Sequence, residues 1–281
     1  LQLLVEVHKL VKGKKYEKDY PRILQSLLAQ FNKPVNEGGF WSENLGFYIH
    51  SNNGDGTEIH GDRYFESTVN YFALLWNAGS KATEQKIWKY INQNRIPLEM
   101  PYPVLTNLHP RTGARRPNYG RTVTNGDVWM VLGAHAAAAR LQAGFIDEGT
   151  EMYHAIVDYE KSEGVLHNCI YPKSNSVNDS WDPEVANYGA LYAPLVLGVL
   201  GLRYKAEGLE FHLKQLKGMN SMEILLFPYQ EPLVLKCQWD QSSKINATIL
   251  NLRTNETMIK LSTPNFLIKR DKPIIIEEIH E

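Results

Sequence analysis

Apolar residues recur every three to four positions along the first two-thirds of the chain and in shorter, alternating runs along the last third. Phe65, Val69, Phe72 and Trp76 fall at i, i+4, i+7 and i+11, one face of a helix. Val128, Leu132, His135 and Ala139 line one side of another. The pattern predicts helices over about residues 1–12, 18–32, 63–78, 82–94, 125–143, 146–161 and 184–203. Gly79, Gly144 and Gly201 fall where helix ends are expected, because glycine takes the left-handed C′ position without a Cβ clash. Short turns join 63–78 to 82–94 and 125–143 to 146–161, whereas 33–62, 95–123 and 164–183 are long connections. This alternation predicts stacked α-hairpins with the long loops gathered on one face. Loops beyond about 15 residues inside a compact domain are usually functional.

After about Leu202 the pattern changes. Met222–Leu226, Leu233–Trp239, Asn246–Leu252, Thr257–Leu261 and Lys272–Ile279 are β-branched or alternating runs broken by Asn, Ser, Asp and Pro. They predict a small β-sandwich. The expected division is a helical region over 1–205 and a β-sandwich over 206–281. The 281 residues are 43% apolar, enough for a sizeable core, and the net charge of -1 gives no case for nucleic acid or an acidic membrane surface. No apolar run reaches eighteen residues, so no membrane span is expected; the sequence does not fix the compartment, and a soluble, periplasmic or secreted protein is favoured over a cytoplasmic one. Cys169 and Cys237 form neither a disulfide framework nor a metal-ligand spacing, and the nine His follow no zinc motif, so no metal and no cofactor are expected.

The polar stretch before the Phe65–Trp76 stripe carries Asp55, Glu58, His60, Asp62 and Arg63. Asp62, Glu66 and Asn70 form a second stripe beside the apolar one. Carboxyl groups along a loop-to-helix junction, flanked by aromatics, fit a site for uncharged polyols. Cleavage of a glycosidic bond by acid and base needs two carboxyl groups on opposite sides of it. The bland alternative is helix N-terminal acids favoured by the helix dipole, and a solvated loop. A Gly-, Asn- or Asp-rich turn beside a Trp appears three more times: NEGGFW with Glu37 and Trp41, TNGDVW with Asp127 and Trp129, and DSWDPEVANYGALY with Trp181 and Asp182. Glycine lets a ligand approach the backbone, and an indole offers a flat apolar face to a sugar ring. Each Trp is equally well read as core.

Helical hairpins with long loops on one face, followed by a β-sandwich, resemble the six-hairpin glycosidase superfamily. TNGDVW at Thr124–Trp129 is similar to an Asn-Gly-x-x-Trp that opens a helix of its α/α toroid. Trp181–Leu202 is similar to the last toroid helix, and Gly208–Leu233 to the stretch that leads into the sandwich. DGTEIH at Asp55–His60 looks like the GPDEYH of the phosphorylases in that superfamily, with Thr57 where they have Asp. The resemblance implies a mainly α fold: a partial α/α-hairpin toroid followed by a small β-sandwich. About seven helices of a twelve-helix toroid are counted, so residues upstream of Leu1 are expected to complete it. It implies a glycoside hydrolase, inverting, with Glu58 as general acid and Asp62 or Asp55 as partner carboxylate. Asp127 and Glu37 are reserves for those roles. The substrate-binding set is Glu37, Trp41, His60, Arg63, Asp127, Trp129, Trp181 and Asp182, and the partner is a carbohydrate. Two alternatives stand beside it. One is a non-catalytic carbohydrate-binding protein on the same fold. The other is a polysaccharide lyase using Arg115, Arg116, Tyr119 and Arg121.

Overall fold

The computed structural model describes residues 19–49, 65–93, 128–164, 169–171, 176–177, 189, 191–205, 207–226, 228, 231–242, 244–269 and 274–279. Within them a helical N-terminal part is followed by antiparallel sheets. The helices are α1 (Asp19–Asn32), α2 (Ser67–Leu75), α3 (Lys81–Gln93), α4 (Met130–Ala143) and α5 (Ile146–Glu163), with a π-helical stretch over Pro194–Val199. No described helix is long and apolar enough to cross a membrane.

α2 is shorter than its apolar pattern. Glu66 caps its start, the carboxylate accepting the Val69 N–H at 2.8 Å. It ends at Leu75, and Asn77, not Gly79, takes the left-handed conformation there at φ 49°. Gly79 has a different reason: a Cβ would lie 2.6 Å from the Tyr48 hydroxyl and 2.8 Å from Thr83. Gly144 and Gly201 do adopt positive φ, at 93° and 55°.

Three helical segments lie side by side and run the same way. Phe72 of α2 meets His135 of α4 edge-on at 4.8 Å. Farther along, Leu74 and Asn77 share a cleft with Ala139, Gln142 and Ala143. Leu191 packs with Met130 and Ala134 at the start of α4, and Gly198 lies against Leu141 near its end. α5 turns back along α4, with Gly149 against Leu141 and Ile156 against Met130 and Ala134. The buried run Ala136–Ala139 presents little bulk, which lets these neighbours approach α4 from more than one side.

The sheets follow the alternation of the sequence. One is β8 (Ser221–Leu226), β9 (Leu233–Trp239), β10 (Ile245–Asn251) and β11 (Glu256–Leu261), in the order β11-β10-β9-β8. The other is β6 (Arg203–Tyr204), β7 (Gly208–His212), β12 (Asn265–Lys269) and β13 (Ile276–Glu278), in the order β13-β12-β7-β6. Leu235, Cys237 and Trp239 of β9 stand opposite Ile249, Ala247 and Ile245 of β10, all buried. Phe211 of β7 stacks on Phe266 of β12 at 4.7 Å. These residues belong to one hydrophobic cluster drawn from both sheets. In these two sheets β6, β7 and β12 were not among the expected runs.

Two smaller sheets sit with the helices. β1 (Trp41–Ser42) pairs with β2 (Phe47–Tyr48), and β4 (Cys169–Tyr171) pairs with both β3 (Val128–Trp129) and β5 (Ser176–Val177).

Candidate functional site

Most of the expected site residues lie outside the described residues: Asp55, Glu58, His60, Asp62, Arg63, Asp127, Trp181 and Asp182. So do the arginines and Tyr119 named for a lyase. Trp129 is described by its backbone, which pairs with that of Cys169. Glu37 and Trp41 are described in full.

Glu37 closes a single 3-10 turn, Val35–Glu37, and is exposed. The two glycines after it have structural causes. Gly38 adopts φ 83°, and a Cβ on Gly39 would come within 2.0 Å of the Lys33 carbonyl oxygen. The NEGGFW turn therefore folds tightly over the end of α1, whose Gln30 amide donates to the Gly38 carbonyl at 2.8 Å.

Trp41 does not present an open face. It is 5% exposed, and Tyr48 meets its ring at 5.0 Å. Its indole N–H donates to the Glu43 carboxylate at 2.8 Å, which in turn accepts from Lys86. That pair of donors draws the Glu43 carboxyl below its ordinary range, the Lys86 bond first and the Trp41 bond second. The Trp beside a glycine turn is here a core residue. An indole offers the same flat surface to an aromatic neighbour as to a sugar, and Tyr48 supplies that neighbour.

Glu66 and Asn70, the described members of the polar stripe, have structural roles as well. Glu66 is the N-cap. Asn70 is fully buried, and its amide bonds both backbone groups of Tyr48: it accepts from the N–H at 2.9 Å and donates to the carbonyl at 3.0 Å. It thereby fixes β2 to the first turn of α2, directly beside Phe47 and Phe65, which meet edge-on at 5.4 Å. The anchor joins two described residues, Tyr48 and Asn70, that lie 22 positions apart in the chain.

The titratable groups near these helices are shifted by burial. The His135 imidazole sits below its usual value, and its Nδ1 lies 2.7 Å from the Val131 carbonyl, a bond that opposes the shift. The Tyr71 hydroxyl is pushed up, desolvation outweighing the Arg140 guanidinium that donates to it at 2.8 Å. Arg140 lies 5.6 Å from the ring centroids of both Tyr71 and Trp88. Both belong to the packing between α2, α3 and α4. Among the described residues no group of three or more His, Cys, Asp or Glu could hold a metal ion.

No protein-family model matches the chain, and a search of curated proteins finds no match.

Proposed function

We propose that this chain is a glycoside hydrolase using paired carboxyl groups on an α/α-toroid scaffold, followed by a β-sandwich. One observation carries the reading. α2, α4 and the 191–199 stretch are parallel, so all three begin at one end of the helical layer. The chain runs into them directly from 50–64, 101–127 and 178–188, the stretches that hold Glu58 and Asp62, Asp127, and Trp181 and Asp182. The β3–β4 pairing supports it, because it joins the strand just before α4 to one that precedes the 191–199 stretch. In this reading Glu58 protonates the leaving oxygen, and Asp62 or Asp55 activates water on the opposite face. The chemistry needs one acid kept protonated and one kept charged, and Glu58, with acidic residues three and four positions away, and Asp62 are the pair proposed for those roles.

The test is hydrolysis of a panel of glycosides by the wild type and by Glu58→Gln. Turnover of unactivated glycosides is expected to fall about a hundredfold or more. Aryl glycosides with good leaving groups should lose less, with an unchanged circular dichroism spectrum. The newly released sugar, followed by NMR, should carry the inverted anomeric configuration. Wild-type turnover by Glu58→Gln removes Glu58 from the role. A wild type that binds oligosaccharides but cleaves none fits the non-catalytic alternative. Cleavage that needs inorganic phosphate makes the reaction a phosphorolysis.

A further inference from the structure

Where the helices meet the sheets, a cleft of about 190 Å³ opens between the ends of α2 and α4, the first turns of α3 and strand β6. Lys81, Glu84 and Gln85 of α3, Gln142 of α4 and Arg203 of β6 line it, with Trp88 as an apolar wall. Phe145 meets the Trp88 ring edge-on at 4.9 Å and holds it there. The volume is that of about six waters, so the cleft suits a small ion rather than a polymer.

The charges around it do not balance. Glu84 is already matched by Lys81 at 3.5 Å. The carboxylate opposite Arg203 across the strand pair is that of Glu210. It lies instead 3.0 Å from the Lys205 ammonium and 3.3 Å from His212 Nε2. Among the described residues no carboxylate meets the half-buried Arg203 guanidinium. The surplus reaches Lys214, whose amine is held down at about 8 by burial first and by the Arg203 charge second. A partly desolvated guanidinium without a counter-charge is costly, and a bound anion offsets that cost.

We propose that this cleft binds a small oxyanion, a phosphate or a carboxylate, with Arg203 as its principal ligand. The planar guanidinium fork meets two oxygens of such a group in parallel. Gln85 and Gln142 carry amides that can donate to the others. The start of α3 adds the partial positive charge of a helix N-terminus. Trp88 limits water on one side, which strengthens the attraction. This inference is independent of the glycosidase reading.

The test is isothermal titration calorimetry of the full chain with inorganic phosphate and with acetate, at ionic strength matched by chloride. Saturable binding of at least one of the two is expected in the wild type. Binding of phosphate only assigns the site to phosphate groups, and binding of acetate extends it to carboxylates. Arg203→Gln should weaken binding at least about tenfold, with an unchanged circular dichroism spectrum. Gln85→Glu, at an exposed position, brings a competing carboxylate to the cleft and should weaken binding as well. Lys236→Gln, on β9 and outside the lining, should bind as the wild type does. A second readout follows the Lys214 side chain by NMR of protein labelled at the lysine Cε. An anion beside Arg203 offsets its charge, so the Lys214 titration midpoint should rise on saturation. Three results overturn the proposal: no saturable binding of either anion, a Lys214 midpoint unmoved at saturation, or equal affinity in the wild type and Arg203→Gln. Where Arg203→Gln does not fold, equal affinity in the wild type and Gln85→Glu overturns it. A loss in Lys236→Gln as large as in the cleft variants would mean diffuse attraction to surface charge and also overturns it.

Discussion

Asn70 is the clearest single-residue case in which a polar side chain looks functional in sequence and is structural in the fold. Its amide satisfies the N–H and C=O of Tyr48, a residue with no exposed surface. An unpaired buried backbone group costs about 1–3 kcal/mol. Asn70→Ala strands two of them and should lower stability by about 2–4 kcal/mol, read from the urea midpoint at unchanged m-value. A loss below about 0.5 kcal/mol would mean that water replaces the amide. Of the stripe of Asp62, Glu66 and Asn70, Asp62 lies outside the described residues and Glu66 just before the helix. The use of Glu66 and Asn70 was not legible, because Asn70 has its partner on a strand 22 residues earlier and Glu66 bonds its own helix start. Trp41 was illegible for a related reason. A glycine turn next to an indole is the same pattern whether the ring meets a sugar or Tyr48. The carboxyl groups at 55, 58 and 62 lie outside the described residues, so their pattern rests on sequence.

At the scale of elements, the helices were legible from periodicity to within a few residues for α1, α3 and the ends of α4 and α5. The exceptions have local causes. α2 starts late because Glu66 caps it, and residues 128–129 form a strand with 169–170 before α4 begins. The apolar run at Leu191–Leu202 predicts a helix, but periodicity does not separate α from π hydrogen bonding, and the wider form occupies Pro194–Val199. β7 was missed because GLEFH holds no β-branched residue, and β12 because NFLIK carries a short unbroken apolar run in place of alternation. Helices approach closely at Leu141, where a Cβ on Gly198 would lie 2.8 Å from the leucine Cβ and one on Gly149 2.7 Å from its Cγ. Gly198→Ala forces bulk into a packed contact and should destabilise by about 1–3 kcal/mol. Combining it with Leu141→Ala should cost somewhat less than the sum of the two, since truncation removes the Cδ1 at 2.9 Å and the Cγ at 3.4 Å while the Cβ contact stays. Additive losses in a double-mutant cycle of urea denaturation would show that the strain is relieved elsewhere.

At the scale of the whole molecule, the helical part and the sheets meet at a buried junction that couples their unfolding. Leu141 of α4, Val199 of the π-helical stretch and Leu216 beyond β7 form one buried cluster. Beside it the Lys214 ammonium donates to the Leu141 carbonyl at 2.6 Å and also to that of Gln142, closing the C-terminal end of α4 from the sheet side. Burial, with the Arg203 charge adding to it, draws the Lys214 amine down to about 8, whereas an unfolded lysine titrates near about 10.4. Between those values the unfolded chain binds more protons than the folded one, so stability rises with pH across the window. The contribution is complete above about 10.4 and is lost as pH falls through about 8. The neutral amine keeps two N–H donors for the two carbonyls, so deprotonation leaves the junction intact. Lys214→Met removes both the donors and the titration. Its urea midpoint should lie below that of the wild type, and the gap should widen between pH 7.5 and 10.5, because only the wild type gains there. Far-ultraviolet circular dichroism for the helices and tryptophan fluorescence should give coincident transitions in the wild type, since neither part can open without exposing the Leu141–Val199–Leu216 cluster. A gap that stays constant with pH would remove Lys214 as the titrating group. Two separate transitions would show that the junction does not couple the parts.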